Sequence, residues 1–102
     1  MPKLKLSPAA RTDLKSIGQY TKEKWGKDQR NRYLAGLDDR FHGLADNPML
    51  GRSRGEIKEG YRSFNEGSHA IFYRVTGRDI EIISILHQSM DVEQHLSIEK
   101  TR

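Results

Sequence analysis

The sequence predicts an α+β fold with two layers, in which a helix hairpin packs on a mainly antiparallel sheet and the elements follow the order β-α-α-β-β-β. Three patterns in the 102-residue chain lead to this prediction: a short alternating segment at the N-terminus, two consecutive amphipathic helices, and β-rich runs separated by turn residues. Helices joined across one glycine fold back on each other, and their apolar faces need a sheet to cover.

The first strand and the first helix follow from local signals. Residues 3–6 (KLKL) alternate charged and apolar side chains, which is the period of a half-buried strand. Ser7 then supplies an N-cap hydroxyl and Pro8 takes the first helical position, so a helix starts here and ends near Gly26. Its apolar positions recur every three or four residues at Ala10, Leu14, Ile17, Thr21 and Trp25. We expect Trp25, at the end of this stripe, to anchor the hairpin.

A second helix is predicted from Lys27 to about Asp46, where Asn47-Pro48 stops it. Its apolar face comprises Tyr33, Leu34, Leu37, Phe41, Leu44 and Ala45. Residues 49–55 (MLGRSRG) place two glycines and two arginines around one serine, which predicts an exposed basic loop.

Residues 60–90 carry the most informative pattern, because three β-rich runs follow one another there. An Asn-Glu-Gly-Ser and a Thr-Gly-Arg-Asp segment separate the runs, as expected of consecutive antiparallel hairpins. Arg62 and Arg74 lie inside these runs rather than in the turns, and His87 closes the last run. A sheet face with such groups is suited to contact phosphate or an acidic partner.

Composition indicates one domain with a thin core. Only 34% of the residues are hydrophobic and the mean hydropathy is -0.83, so we expect stability to depend on a partner or on self-association. We assign residues 1–98 to a single domain and residues 99–102 to a short polar tail.

Charge and cysteine content narrow the class of partner. Eighteen Lys and Arg against fourteen Asp and Glu give a net charge of +4, which favours acidic partners. The charge falls short of the dense basic stripe of a nucleic-acid binder, so direct nucleic-acid binding is not predicted.

Disulfides and thiolate metal sites are excluded because the chain has no cysteine. No segment approaches the ~18 apolar residues of a membrane span, and we expect a cytoplasmic protein without a membrane partner.

An ordered series of residues along nearly the whole chain points to a family. In the helical half the series comprises Ala10, Asp13-Leu14, Ile17, Trp25-Gly26, Tyr33, Leu37, Leu44-Ala45 and Pro48. In the C-terminal half it comprises Gly51-Arg52, residues 60–64 (GYRSF), His69, residues 71–74 (IFYR), residues 85–87 (ILH) and Met90-Asp91. Together with the order of elements, this series resembles the ParE branch of the RelE/ParE superfamily of bacterial toxin–antitoxin toxins.

The resemblance implies a protein that acts by binding. ParE toxins trap DNA gyrase, and a ParD-type antitoxin neutralises them when its disordered C-terminal part folds onto the toxin. On this basis we expect no catalytic residues, no metal and no cofactor. The residues predicted to bind the target are Arg62, Arg74, Met90 and Asp91. Those predicted to bind the antitoxin are Arg52, Arg54 and Lys58.

Two other functions stay open. RelE-branch toxins cut messenger RNA on the ribosome, which requires a base, an acid and cations around the phosphate. Glu56 would be the base, His87 the acid, and Arg62 and Arg74 the phosphate clamps. The chain departs from the RelE pattern because it has no tyrosine near its end. A member of the superfamily that binds antitoxin but has lost toxicity is the third possibility.

The singled-out side chains also have purely structural interpretations. The stems of Arg62 and Arg74 can cover the sheet while their heads reach water or pair with Glu66 or Glu81. The spacing of four between His87, Asp91 and His95 would align three metal ligands on a helix. A strand ending at His87 breaks that alignment, so we predict no metal site.

Overall fold

The computed structural model describes residues 3–88 and confirms the two-layer α+β fold. The elements in chain order are β1 (Leu4–Leu6), α1 (Pro8–Trp25), α2 (Lys27–Asp46), a 3-10 helix (Pro48–Leu50), β2 (Arg52–Ser53), β3 (Tyr61–Glu66), β4 (His69–Thr76) and β5 (Asp79–His87). Neither of the two α-helices in this part of the chain is long and apolar enough to cross a membrane.

The sheet has five strands in the order β1-β5-β4-β3-β2. β1 runs parallel to β5, and every other pair is antiparallel. Gly67 and Gly77 form the two tight turns with φ of 59° and 64°, a conformation that glycine adopts without steric cost. The predicted meander is therefore present, with the N-terminal strand added beside its last strand.

The sheet is apolar on both faces. The face beneath the helices, called the helix face here, forms the main core. Its largest fully buried side chains are Tyr73, Ile71, Ile80 and Ile82, which pack against Leu37, Phe41 and Leu44 of α2. The opposite face, called the outer face, holds a second cluster made of Ile57, Tyr61, Phe72 and Leu86.

Hydrogen bonds made by Ser7 and Asp13 fix the first two turns of α1 to the sheet. Ser7 Oγ accepts a hydrogen bond from the amide of Ala10 at 3.0 Å, as an N-cap does, and donates one to the carbonyl of Ile83 at 2.7 Å. The pairing of β4 with β5 shifts register after Phe72. At this irregularity Asp13 of α1 accepts hydrogen bonds from Ser84 Oγ at 2.8 Å and from the amide of Ile85 at 2.9 Å.

Two local predictions need correction. Residues 49–55 are mostly exposed as expected, but they are not simply a loop, because Arg52–Ser53 pair with β3 as β2 and Gly51 is buried. Trp25 does not anchor the hairpin, since 66% of it is exposed. No residue from 22 to 32 is buried, so Trp25 lies in an exposed part of the hairpin and does not contribute to the core.

We predict that Phe41→Ala lowers the free energy of unfolding by ~2–5 kcal/mol, because the ring is 2% exposed and its removal leaves a cavity between the layers. Trp25→Ala should change it by less than about 0.5 kcal/mol, as surface substitutions do. Urea unfolding followed by circular dichroism measures both. Equal destabilisation by the two substitutions would contradict the described packing.

Candidate functional site

Arg62 is half-buried, and its guanidinium is bonded to the backbone of the fold. It lies opposite Tyr73 in the sheet and therefore on the helix face. Its Nε and Nη2 donate hydrogen bonds to the carbonyl of Gly51 at 3.1 and 2.5 Å. The guanidinium thereby fastens the segment that connects α2 to β2.

The hydroxyl of Tyr73 fixes the same segment from below. Tyr73 is fully buried, and its Oη donates to the carbonyl of Pro48 at 2.6 Å and accepts from the amide of Gly51 at 2.9 Å. A Cβ at position 51 would lie 2.5 Å from that oxygen, so only glycine fits. This role of Tyr73 is absent from the sequence predictions, because the strand pattern marks the residue only as apolar.

Arg74 lies on the other side of the sheet. It is opposite Tyr61 and Glu81, which places it on the outer face. Its Nη2 is 3.3 Å from Glu81 Oε1, and 41% of the side chain is exposed. The expected pairing with Glu81 is present, whereas Glu66 pairs with Arg40 of α2 at 2.9 Å and not with Arg62. Arg74 Nε is buried and makes no hydrogen bond within the described structure.

The four residues of the ribonuclease hypothesis are not brought together. Arg62 and Arg74 face opposite sides of the sheet, since one is opposite Tyr73 and the other follows Tyr73 directly. His87 shares the helix face with Arg62, but through His69 it is in register with Glu66 at the far end of β3. Glu66 is four residues, or about 13 Å, from Arg62 along that strand.

Glu56 is an exposed carboxylate engaged by a neighbouring cation. Arg54 Nε lies 2.7 Å from its Oε2, and this hydrogen bond is the main reason that the pKa of Glu56 falls below its ordinary value. A lower pKa makes a carboxylate a weaker base. The local environment therefore does not favour Glu56 as the base of an RNA-cutting site.

The predicted antitoxin-binding residues differ in how accessible they are. The Arg54 side chain is only 15% exposed, because its guanidinium stacks 5.2 Å from the ring centre of Phe72 and also donates to Ser63 Oγ. Arg52 and Lys58 are exposed. Of the three cations, Arg52 and Lys58 are thus the more accessible to solvent.

His69 and His87 form a contact that was not predicted from the sequence. Tyr33 of α2 links His69 to the β3–β4 turn. Tyr33 Oη lies 2.6 Å from Nδ1 of His69 and 3.3 Å from the carbonyl of Glu66. The rings of His69 and His87 meet edge to face, with centroids 5.4 Å apart. Burial, and then the nearby His87, lower the pKa of His69 below 6.5. Only the pairing register could have revealed this cluster.

Some predicted residues cannot be placed. Met90, Asp91 and His95 lie outside the described residues, as does the 99–102 tail. Between residues 3 and 88, no three His, Cys, Asp or Glu side chains are grouped closely enough to hold a metal ion.

Comparison with known proteins gives consistent results over most of the chain. The family model described as "ParE toxin of type II toxin-antitoxin system, parDE" matches residues 4–92. Toxin ParE1 of Mycobacterium tuberculosis is 46% identical over 92 residues, which cover 89% of this chain and 94% of that protein. Toxin ParE1 of Caulobacter vibrioides is 38% identical over 96 residues, which cover 94% and 99% of the two chains.

A solved structure supports the fold. The chromosomal ParDE toxin–antitoxin system of P. aeruginosa contains a chain that superposes with a TM-score of 0.72. The two chains are 21% identical, and the match covers 85% of this chain and 96% of the other. At that level of identity the likeness concerns the arrangement of helices and strands.

We predict that the protein loses stability as the pH falls below 6.5, the ordinary pKa of histidine. The unfolded chain takes up a proton at His69 that the folded chain resists, so the free energy of unfolding decreases until the pH reaches the lowered folded pKa. Below that value the loss from this group levels off. Urea unfolding over this pH range measures it.

His69→Gln should flatten the pH dependence, whereas the matched variant His42→Gln, on the exposed side of α2, should retain it. A wild-type stability that rises on acidification through this range would contradict the assignment, because it would require a histidine whose charged form is favoured by folding.

Proposed function

Because the chain belongs to the ParE toxin family of type II toxin–antitoxin systems, we propose that it arrests growth by binding DNA gyrase and that a ParD-like antitoxin neutralises it. The observation that carries a binding mechanism is the separation of Arg62 from Arg74 by the sheet. Cutting RNA requires the base, the acid and the cations to surround one phosphate, and this separation favours binding over cleavage.

Gyrase is proposed as the target because of the family resemblance. The contact surface is proposed from the exposure of side chains on the sheet. Of the two sheet arginines, Arg74 has its side chain 41% exposed on the outer face. Its guanidinium could contact a carboxylate or a phosphate of the gyrase complex. We include Met90 and Asp91, which follow β5 in the chain, in the proposed target surface. Arg62 belongs to the proposal too, but its bonds to Gly51 make its loss a change of fold as well.

The proposed antitoxin partner is supported by the relatives, since the matching P. aeruginosa structure is a ParDE toxin–antitoxin system. Exposed Arg52 and Lys58 at the β2 edge would steer an acidic antitoxin segment toward the toxin. Arg54 would contribute through the packing of that edge, because its guanidinium is engaged with Glu56 and Ser63.

We predict that the chain expressed without its antitoxin stops growth, with filamentation and DNA-damage signalling, while a cell-free translation reaction supplied with it continues. His87→Ala should leave the toxicity intact, because no proton transfer depends on the imidazole. Microscopy, a damage reporter and messenger RNA integrity in the translation reaction measure these outcomes.

Prompt cleavage of ribosome-bound messenger RNA, abolished by His87→Ala, would select the ribonuclease function instead. Normal growth with intact antitoxin binding would select the non-toxic member of the family.

We predict that Arg74→Gln reduces toxicity while the free energy of unfolding changes by no more than about 1 kcal/mol. Arg62→Gln should instead destabilise the fold by ~1–3 kcal/mol, because two hydrogen bonds to the carbonyl of Gly51 are lost. Growth assays and urea unfolding on both variants separate the two effects. An Arg74→Gln protein that is folded and fully toxic would move the target surface away from this part of the outer face.

A further inference from the structure

The tip of the helix hairpin, residues 22–32, carries most of the net charge of the chain. Five cations and two acids give this segment a net charge of +3, while the whole 102-residue chain carries +4. The cations are Lys22, Lys24, Lys27, Arg30 and Arg32. Because only Gly26 separates α1 from α2, the last turn of α1 and the first turns of α2 hold these cations at one end of the hairpin.

The cations of the tip are not neutralised by ion pairs. None of them takes part in an ion pair among residues 3–88. Lys24 Nζ lies 5.8 Å from the centre of the Tyr20 ring, and Arg30 Nε donates a hydrogen bond to Asn31 Oδ1 at 3.1 Å. Neither contact compensates a positive charge. The tip therefore presents a net positive field to solvent, which attracts anions.

The single tryptophan of the chain lies among these cations. Trp25 is 66% exposed and, with Asp28, Gln29 and Arg32, lines an open cavity of about 630 Å³. A second ring, Tyr20, is exposed just over one turn earlier on α1. A guanidinium beside an exposed indole is suited to nucleic acid, because the cation binds phosphate while the ring packs against a sugar or a base.

We propose that the hairpin tip binds the phosphate backbone of the double-stranded DNA held by gyrase, an inference that rests on the proposed function. A protein that traps an enzyme on its DNA comes to lie beside phosphates. Lys24, Lys27 and Arg32 would contact phosphate oxygens, and Trp25 would pack against the adjoining sugar. Such contacts fix the position of the chain on the duplex without reading its sequence.

The composition of the tip favours DNA over an acidic protein segment. A segment that folds on binding loses conformational entropy and needs apolar contacts to offset the loss, but Trp25 is the only apolar side chain from 22 to 32. Duplex DNA is already ordered and carries one charge per ~1.7 Å of its axis, so it can be bound by cations alone. The total charge of +4 does not predict this contact, because phosphates respond to the local concentration of cations rather than to the sum.

Fluorescence tests the contact directly, because Trp25 is the only tryptophan and its emission reports on the tip. We expect a random-sequence duplex of about 30 base pairs to quench this emission at 50 mM salt. If three to five phosphates are contacted, the affinity should fall roughly 40- to 500-fold between 50 and 200 mM salt.

Two triple variants of equal charge test the position of the contact. The tip variant replaces three exposed cations: Lys24→Gln, Lys27→Gln and Arg32→Gln. The control variant replaces three exposed cations elsewhere on the surface: Lys3→Gln, Arg11→Gln and Arg78→Gln. Each variant lowers the net charge from +4 to +1. Arg11 is fourteen residues from Trp25 in α1, or about 21 Å along the helix, so the two variants differ in where the charge is lost.

We expect the tip variant to bind labelled duplex roughly tenfold more weakly than the control variant, measured by fluorescence anisotropy. The tip variant should also need roughly tenfold more protein than the control to stop gyrase supercoiling. Urea unfolding of both variants should match the wild type, because all six side chains are exposed.

The outcomes separate the inference from the proposed function. Equal duplex affinities for the two variants, or an unquenched Trp25 at low salt, would overturn the tip as a DNA contact while gyrase inhibition by the wild type stands. A tip variant that inhibits gyrase less although the wild type binds no duplex would assign the tip to an acidic surface of gyrase itself, and would also overturn the inference. A wild-type chain that leaves gyrase unimpaired would overturn the proposed function, and the contact with gyrase-held DNA would fall with it.

Discussion

The fold depends on a central strand, β4, whose side chains are buried on both faces of the sheet. Phe72 and Tyr73 are neighbours in the chain and are both fully buried. Successive residues of a strand point to opposite faces, so each face needs its own cover. The helix hairpin covers one face, and the segment with Ile57 covers part of the other. The same alternation places Arg62 and Arg74 on opposite faces, so these two residues of the ribonuclease hypothesis do not lie around one site.

Burial on both faces also requires that polar groups be satisfied inside the structure. Tyr73 brings a hydroxyl into the main core, where the carbonyl of Pro48 and the amide of Gly51 satisfy it. Asp13 does the same for Ser84 and the amide of Ile85, at the place where the pairing of β4 with β5 is irregular. These bonds hold the hairpin at a fixed position on the sheet.

Sequence predicted the elements that depend on local chemistry. The bounds of α2 and the two hairpin turns are as expected, because Gly26 at the helix junction, the proline stop and the glycines with positive φ act within a few positions. β2 was missed because two residues show no periodicity. Trp25 was misplaced because a helical stripe does not indicate where the opposing layer ends. The partners of Tyr73, and the division of the arginines between faces, depend on register, which only the folded sheet defines.

Under the proposed function, this ParE-family chain binds its target through the outer face of the sheet. A supercoiling reaction with purified chain, DNA gyrase, ATP and relaxed plasmid is the most direct test of this proposal. We predict that supercoiling stops in proportion to the chain added and that linear plasmid accumulates from trapped cleavage complexes, with added antitoxin reversing both effects. Unimpaired supercoiling at a saturating concentration of folded chain would contradict it.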